Sequence, residues 1–430
     1  MSYASSVQFL YSLGNEFKVG AKWDLQRMRA LLEALGNPEA GGRFVHVAGT
    51  NGKGSTCAML ASILGASGLR TGLYTSPHLE KPTERIQVDG REVSEDEFSA
   101  AFNQVHEAAE RLAAKESSEG YPSYFELVTG MAFLVFSEKT DISVIEVGLG
   151  GRLDATNVIS PELTVITPVS FDHEAFLGNT LDAIASEKAG ILKPGVPLVL
   201  ARQVPEAEAV ITRVAAELAV PVHHTRDLPV SGIKLTPYGC EFEADGLPVR
   251  HSLPGQHQIE NAAAAIVASR LLEVEGPAIQ KGLADARWPG RLELISRNPD
   301  FVLDGAHNPA GARALARYIR EFRADRPVWI IYGTMRDKAI DEVTAELFPL
   351  ADCLILTAPE FPRALRPEVI AALTEHPNRL IAANLDEAIK IANTAPTDAV
   401  VFFTGSLFIV GEARAKLLRS KQGHVEMKFQ

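Results

Sequence analysis

The chain has 430 residues, more than a single hydrophobic core usually supports, so its length predicts two domains. With 46% hydrophobic residues, 22% charged residues and a net charge of −12, its composition is that of a globular protein and argues against nucleic acid or an anionic membrane as a partner. There is no basic leader and no apolar run near the roughly 20 residues of a membrane span, and the three cysteines are widely spaced, so we predict a cytoplasmic protein with reduced thiols.

The stretch R-F-V-H-V-A-G-T-N-G-K-G-S (43–55) predicts a strand, a phosphate-binding loop and the start of a helix. Its glycines would let backbone N–H groups approach phosphate oxygens, the helix N-terminus would add positive charge, and Lys53 would meet the terminal phosphates. The spacing departs from the common G-x-x-x-x-G-K-[ST] loop, because Gly54 lies between Lys53 and Ser55. A tight turn with an exposed lysine is the alternative.

Ser94 with Glu97, and Ser123 with Glu126, have the spacing of capping boxes. In a capping box the serine hydroxyl and the acid three residues later satisfy backbone N–H groups at a helix N-terminus. These two pairs therefore predict where two long helices begin, and the cap is our preferred interpretation of Glu126.

Two later apolar runs predict strands that end in polar residues. The run 142–147 contains Glu146 near its end, and the run 163–168 leads into Asp172 and His173. Strands that alternate with helices predict a mostly parallel sheet with both faces covered, in which ligands bind beyond the carboxyl ends of the strands. The phosphate loop, Glu146 and the Asp172-His173 pair should then share one crevice. A salt-bridged acid and a hydrogen-bonded loop histidine are the alternatives.

The C-terminal half predicts a small hairpin, a break and a second α/β region. Residues 231–252 alternate like an antiparallel hairpin, and W-P-G-R (288–291) interrupts the pattern before strands and helices alternate again. We therefore predict an ATP-binding domain over residues 1–288 and a second α/β domain over residues 289–430.

With these blocks in view, the sequence resembles the folylpolyglutamate synthase/dihydrofolate synthase family, a branch of the Mur ligase superfamily. The matching blocks lie in order from residue 46 to residue 309: H-V-A-G-T-N-G-K-G-S, Y-T-S-P-H-L with E-R-I, E-V-G-L-G-G-R-L-D-A-T-N, F-D-H-x-x-x-L-G-x-T, I-A-x-E-K-A-G-I, P-G-R-L-E and D-G-A-H-N-P. T-G-S-L (404–407) resembles a later block. The family implies an α/β fold, with a Mur-ligase-like P-loop domain and a second, Rossmann-like α/β domain.

Members of this family use ATP and Mg²⁺ to convert a carboxylate into an acyl phosphate, which the amine of L-glutamate attacks. The resemblance implies an ATP-dependent ligase of folate biosynthesis and one-carbon metabolism, acting as a monomer on a folate, a dihydropteroate or both. It implies two magnesium ions held by Ser76, Glu146, His173 and Lys188, with Lys188 carbamylated by CO₂. From the residues alone, we would favour a surface Lys188 paired with Glu187 or capping a helix end.

The resemblance also implies contacts for each substrate. ATP would be bound by Gly52, Lys53, Gly54, Ser55, Asn261, Arg291 and Asp304. A pteroate or folate would be bound by Ser123, Phe125, Leu153, Asp154 and Ala155, although the segment 17–23 departs from the pattern of pterin-binding members. Glutamate would meet Ser406, Arg336 and Lys338 in the second domain, which would also close the ATP site. The catalytic residues would be Lys53, His173, Lys188 and His307.

Two other functions stay open at this point. The chain could be a Mur-type amino-acid ligase for another carboxylate, although it has no additional domain before the phosphate loop to hold a UDP-sugar. A non-catalytic nucleotide-binding module would explain the loop but not the combination of Glu146, His173, Lys188 and His307. The discriminating observation is whether ATP hydrolysis requires both a folate and glutamate.

Overall fold

The computed structural model describes residues 1–14, 24–114, 120–336 and 339–426. The segment 17–23 and Lys338 therefore lie outside the described residues. Within these ranges, no helix is both long and apolar enough to cross a membrane. The chain divides into two compact units, the first formed by Met1–Ile233, Phe242–Arg250 and Ile259–Ala286, and the second by Lys234–Glu241, His251–Gln258 and Arg287–Gln430.

The first unit is built on an eight-stranded sheet. Its strands are β1 (Phe44–Ala48), β2 (Thr71–Tyr74), β3 (Ile86–Val88), β4 (Arg91–Glu92), β5 (Ile142–Glu146), β6 (Leu163–Ile166), β7 (Leu198–Leu200) and β8 (Val222–His224). Their spatial order is β4-β3-β2-β5-β1-β6-β7-β8, and only the pairs that involve β3 are antiparallel. The strand before the phosphate loop, β1, pairs with β5 on one side and β6 on the other. The carboxyl ends of these three parallel strands therefore lie side by side.

Helices cover this sheet. They are α1 (Tyr3–Ser12), α2 (Gln26–Ala34), α3 (Lys53–Ala66), α4 (Glu95–Ala113), α5 (Tyr124–Lys139), α6 (Glu174–Leu177), α7 (Leu181–Ala189), α8 (Pro205–Glu217), α9 (Gln256–Leu271), which spans the division, and α10 (Gly276–Asp285). One apolar cluster joins α2, α4 and α5, with Phe102 and Phe133 at most 1% exposed, and a second lies around α7 and α8. Burial of this apolar surface is the main stabilising contribution.

Both predicted capping boxes are present. Ser94 Oγ accepts from the Glu97 N–H at 3.2 Å, and Glu97 Oε2 accepts from the Ser94 N–H at 2.7 Å. Ser123 and Glu126 exchange the same two bonds at 3.3 and 2.7 Å. The helices α4 and α5 begin at the following residue in each case, because the box satisfies N–H groups that have no partner inside the helix.

The predicted hairpin over 231–252 is instead a three-stranded sheet, and the division between the two units passes through it. Its strands are β9 (Val230–Thr236), β10 (Gly239–Ala244) and β11 (Leu247–His251), in the order β11-β10-β9. The additional strand arises because Asp245 and Gly246 both adopt positive φ, at 50° and 76°. An Asp-Gly pair in this conformation makes the tight turn that joins two antiparallel strands.

The second unit repeats the strand-helix alternation around a six-stranded sheet. The strands are β12 (Glu293–Ser296), β13 (Asp300–Leu303), β14 (Val328–Tyr332), β15 (Cys353–Leu356), β16 (Arg379–Ile381) and β17 (Val400–Thr404). The helices are α11 (Pro309–Phe322), α12 (Ile340–Leu347), α13 (Pro367–Leu373), α14 (Leu385–Ala392) and α15 (Leu407–Glu426). The spatial order is β12-β13-β17-β14-β15-β16, with only β12 antiparallel to its neighbour. The predicted α/β class is confirmed.

Candidate active site

The loop between β1 and α3 requires glycine at two positions. Gly49 has a φ of 145°, and a Cβ there would lie 1.8 Å from Oγ1 of Thr167. Gly52 has a φ of 88°, and a Cβ there would lie 2.3 Å from Oδ1 of Asn261. A side chain at either position would clash as well as strain the backbone. The glycine spacing thus reflects a closely packed loop that leads directly into the N-terminus of α3, which begins at Lys53.

The same loop is fastened to the segment after β6. The N–H groups of Thr50 and Asn51 both donate to the Pro168 carbonyl, at 3.0 and 3.2 Å. Thr50 Oγ1 donates to the Ser170 carbonyl at 3.0 Å, and Asn51 Nδ2 donates to Ser170 Oγ at 3.2 Å. Sequence reasoning missed these contacts, although a Thr-Asn pair inside a glycine-rich loop offers the donors that such fastening needs.

Lys53 and Glu146 come together at the start of α3. Lys53 Nζ donates to the Thr50 carbonyl at 3.3 Å and lies 4.0 Å from Glu146 Oε1. Glu146, at the end of β5, is only 4% exposed, and its Oε2 accepts from the Ser76 N–H at 3.2 Å. A cation and a carboxylate thus lie next to the glycine-rich loop that the sequence predicts to bind phosphate.

Lys188 reaches the phosphate loop from α7. Its Nζ donates to the Gly49 carbonyl at 2.9 Å, and the residue is 4% exposed. Burial lowers the pKa of Lys188 from 10.5 to about 7, with the charge of Lys53 acting in the same direction and that of Asp172 opposing it. The prediction of a surface position for Lys188, made from its residue type, is therefore wrong. Glu187 forms an ion pair with Arg152 instead, at 2.8 Å.

His173 occupies a strained position beyond β6. Its φ of 54° is in the left-handed region, and its N–H donates to Oδ1 of Asp172 at 2.9 Å. Its Nε2 lies 3.9 Å from the same oxygen. Asp172 also affects the pKa of Lys188. The Asp172-His173 pair therefore belongs to the surroundings of Lys188 and the phosphate loop.

Among the described residues, no group of three or more His, Cys, Asp or Glu side chains has a metal-binding arrangement. This does not argue against Mg²⁺, which prefers oxygen ligands and takes most of them from phosphates and water. The buried Glu146 carboxylate, held by the Ser76 N–H beside the phosphate loop, fits an ion of this kind.

The residues expected to bind the pterin are mostly engaged within the protein. Ser123 caps α5, and Phe125 is 4% exposed, with its ring packed so closely on Gly148 that a Cβ there would lie 2.5 Å from it. Asp154 is 2% exposed and Ala155 is 7% exposed, while Leu153 is partly exposed. These five residues lie along α5 and the 148–155 loop, whose roles in substrate binding stay predictions.

Asn261 lies in the first unit, on α9, facing Gly52. Gly52, Lys53, Gly54 and Ser55 lie in the same unit, whereas Arg291, Asp304 and His307 belong to the second unit. Asp304 is 7% exposed and accepts from the N–H groups of Leu292 and Ala306, both at 3.0 Å, and burial raises its pKa. Nδ1 of His307 lies 2.7 Å from the carbonyl oxygen of Gly305.

Three further residues lie in the second unit. Arg291 donates to the Gly290 carbonyl at 3.1 Å. Ser406, expected to meet glutamate, is 3% exposed, donates to the Gly333 carbonyl at 3.0 Å and accepts from the Ile409 N–H at 3.2 Å at the start of α15. Arg336 is exposed.

Comparisons with known proteins cover nearly the whole chain. The Mur ligase middle domain matches residues 47–269, and the Mur ligase glutamate ligase domain matches residues 290–407. The dihydrofolate synthase/folylpolyglutamate synthase of Bacillus subtilis is 38% identical, over 93% of this chain and 96% of that protein. The folylpolyglutamate synthase of Lacticaseibacillus casei is 36% identical, over 98% of this chain and 100% of that protein.

Solved structures agree with these relatives. A folylpolyglutamate synthase of Mycobacterium tuberculosis complexed with ADP has a TM-score of 0.90 at 32% identity, covering 96% of this chain and 98% of that one. E. coli FolC in complex with DHPP and ADP has a TM-score of 0.84 at 30% identity, covering 98% of this chain and 100% of that one.

Proposed function

Because the chain belongs to the folylpolyglutamate synthase/dihydrofolate synthase family of Mur ligases, we propose that it is an ATP-dependent ligase that joins L-glutamate to the carboxylate of a folate or a dihydropteroate. The observation that carries this proposal is that Lys53, Glu146 and Lys188 come together at the closely packed glycine-rich loop between β1 and α3. ATP is the second substrate, in keeping with the ADP bound in the related structures.

The reaction has two steps. A carboxylate oxygen of the folate takes the γ-phosphoryl group of ATP, which gives an acyl phosphate and ADP. The glutamate amine then attacks the acyl carbon, an amide bond forms, phosphate leaves and the amine loses a proton. The Lys53 charge and the N–H groups at the N-terminus of α3 bind the phosphates, where negative charge shifts during transfer.

Mg²⁺ would shield the phosphate charges, and Glu146, Ser76 and His173 are the residues proposed to hold it. Support comes from the buried Glu146 carboxylate and its bond to the Ser76 N–H. Histidine is an unusual ligand for this ion, so the role of His173 rests on the family pattern and on its position near Asp172.

Carbamylation of Lys188 is a separate proposal. The neutral amine would attack CO₂, forming an N–C bond and releasing one proton, and the resulting anion could hold a second magnesium ion. Support comes from the burial of Lys188, from its hydrogen bond to the Gly49 carbonyl and from its pKa of about 7. At pH 7 about half of the amine is then neutral.

The remaining roles are proposals of the same kind. Asn261, Arg291, Asp304 and His307 are proposed nucleotide and catalytic residues, Ser123, Phe125, Leu153, Asp154 and Ala155 are proposed pterin residues, and Ser406 is a proposed glutamate residue. We also propose that the functional boundary between the two domains lies between residues 288 and 289, and that the enzyme uses both folate substrates. We propose a monomer as its oligomeric state, which light scattering would check.

The test is ADP release with each substrate omitted in turn. We expect release to require ATP, Mg²⁺, L-glutamate and either 7,8-dihydropteroate or tetrahydrofolate. Release that is unchanged without glutamate would overturn the ligase, and release that depends on a different carboxylate would indicate a Mur-type ligase of other specificity.

A further inference from the structure

His46 is a buried histidine that the proposed chemistry does not use. It lies in β1, three residues before Gly49, and is 0% exposed. Its Nε2 lies 2.8 Å from Thr156 Oγ1, and Thr156 is also 0% exposed. Burying polar groups disfavours folding unless their hydrogen bonds are satisfied. A ring in this position therefore calls for an explanation.

The hydrogen bonds continue from Thr156 to Asp154. Thr156 Oγ1 lies 2.5 Å from Asp154 Oδ1, which also accepts from the Thr156 N–H at 3.0 Å. A carboxylate can only accept, so the Thr156 hydroxyl proton points to Asp154, and the hydroxyl oxygen accepts from His46 Nε2–H. The chain of donors runs in one direction, from His46 through Thr156 to Asp154.

The surroundings of His46 keep it in this form. Burial, together with the charge of Lys193, lowers the pKa of His46 to about 3, so the ring is neutral and has one N–H. Among the described residues, Nδ1 has no hydrogen-bond partner, which leaves Nε2 as the nitrogen that carries the proton. Its single donor is directed at Thr156.

The far end of this chain is the loop expected to meet the pterin. Asp154 Oδ2 accepts from the Leu149 N–H at 2.9 Å, which fixes the loop next to Gly148. Gly148 in turn packs on the Phe125 ring. Asp154 and Phe125 are two of the proposed pterin residues. The Asp154 carboxylate, which fixes the loop that packs on Phe125, is itself held by the hydrogen bonds that run from His46 through Thr156.

We propose that His46 is a positioning residue for substrate recognition: through Thr156 it orients the Asp154 carboxylate that binds the pterin of the folate substrate. This inference rests on the proposed function. Hydrogen bonds that already hold the carboxylate in its binding orientation reduce the conformational entropy that is lost when the substrate binds. His46 therefore acts on binding of the folate, and not on binding of ATP.

Two matched pairs of variants test this. His46→Phe keeps the ring volume and removes the donor, whereas His46→Gln keeps an amide donor at similar reach. Thr156→Val removes the hydroxyl, whereas Thr156→Ser keeps it. We expect His46→Phe and Thr156→Val to raise KM for the folate substrate about tenfold, as for loss of one hydrogen bond, with KM for ATP unchanged. His46→Gln and Thr156→Ser should stay near the wild type.

Two further measurements sharpen the test. The double variant His46→Phe/Thr156→Val should be no worse than the poorer single variant, because both break one chain. Titration of 7,8-dihydropteroate and tetrahydrofolate into protein saturated with a nonhydrolysable ATP analogue should show the same loss of affinity for the folate, in the absence of turnover. If His46→Phe does not fold, the Thr156 pair decides.

Equal effects of both members of a pair, or a parallel rise in KM for ATP, would overturn the positioning role. Failure of the proposed function would look different, because it would already be visible in the wild type. If ADP release by the wild type does not depend on either folate and neither folate binds, the proposed function and this inference are both overturned.

Discussion

Lys53 and Glu146 are opposite charges 4.0 Å apart, with side chains 17% and 6% exposed. In the proposed reaction, both would lie beside the phosphoryl oxygens between which negative charge moves. Removing one such electrostatic contribution commonly costs about 3 kcal/mol in the transition state, about a hundredfold in rate. We expect Lys53→Met and Glu146→Gln each to lower kcat by at least that factor.

The measurement is steady-state ADP release together with the thermal unfolding midpoint of each variant. Lys81→Met is a matched control, because that lysine is 54% exposed and pairs with Glu92. It should behave as the wild type. Rates near normal in Lys53→Met, with an unchanged midpoint, would place the chemistry elsewhere in the protein.

Lys188 also has a predicted effect on stability. Its folded pKa, about 7, is below the unfolded value of 10.5. Between pH 10.5 and 7 the unfolded chain binds a proton that the folded protein does not, so the wild type loses stability as pH falls through this range. Lys188→Met removes that penalty, and we expect it to be inactive yet to unfold about 2 °C or more higher at pH 7.

Comparison at two pH values isolates this effect. The gain in unfolding midpoint of Lys188→Met over the wild type should be smaller at pH 10 than at pH 7, in buffer without bicarbonate. An equal gain at both values would contradict the lowered pKa. Short carboxylates should partly restore turnover of Lys188→Ala if a carbamate is the working group.

At the scale of elements, the loop between β1 and α3 makes a prediction with an internal control. Gly52 and Gly68 lie just before and just after α3, with φ of 88° and 95°, but only Gly52 faces a neighbour that a Cβ would strike, Oδ1 of Asn261. Alanine in this backbone region costs about 1 kcal/mol at either position. Gly52→Ala should cost more and should raise KM for ATP, whereas Gly68→Ala should leave KM unchanged.

Urea unfolding gives the free energies, and initial rates give KM. Equal losses of stability with equal KM for ATP would show that backbone strain alone matters at Gly52. The loop would then owe its glycine to conformation and not to close packing against α9.

At the scale of the whole molecule, the division into two compact units predicts two unfolding transitions in calorimetry. A ligand at a hundred times its Kd stabilises the unit that binds it by about 2.7 kcal/mol. We expect Mg·ATP to raise the transition of the unit that contains the phosphate loop by several degrees, and Lys53→Met to abolish the rise. A single transition without ligand would contradict independent unfolding of the units.

The sequence by itself determined most of the elements and the proximity of two residues of the candidate site. The strand, loop and helix start predicted over residues 43–55, both capping boxes and the strand predicted over 142–147 all follow local rules, because backbone conformation and hydrophobic periodicity are encoded within a few residues. The parallel sheet then implied that Lys53 and Glu146 share one edge. The additional strand ending at His251 was not predicted, because the alternating pattern over 231–252 was taken as one hairpin and the Asp245-Gly246 turn was not recognised.

Only the tertiary structure decided what surrounds each polar side chain. Lys188 looked like a surface lysine, yet it bonds to the carbonyl of Gly49, 139 positions away, and its pKa falls because it is buried there. His46 showed no role until Thr156, 110 positions away, was brought against it. The physical reason is that desolvation and hydrogen bonding depend on which groups pack together, and the local sequence of a residue does not contain that information.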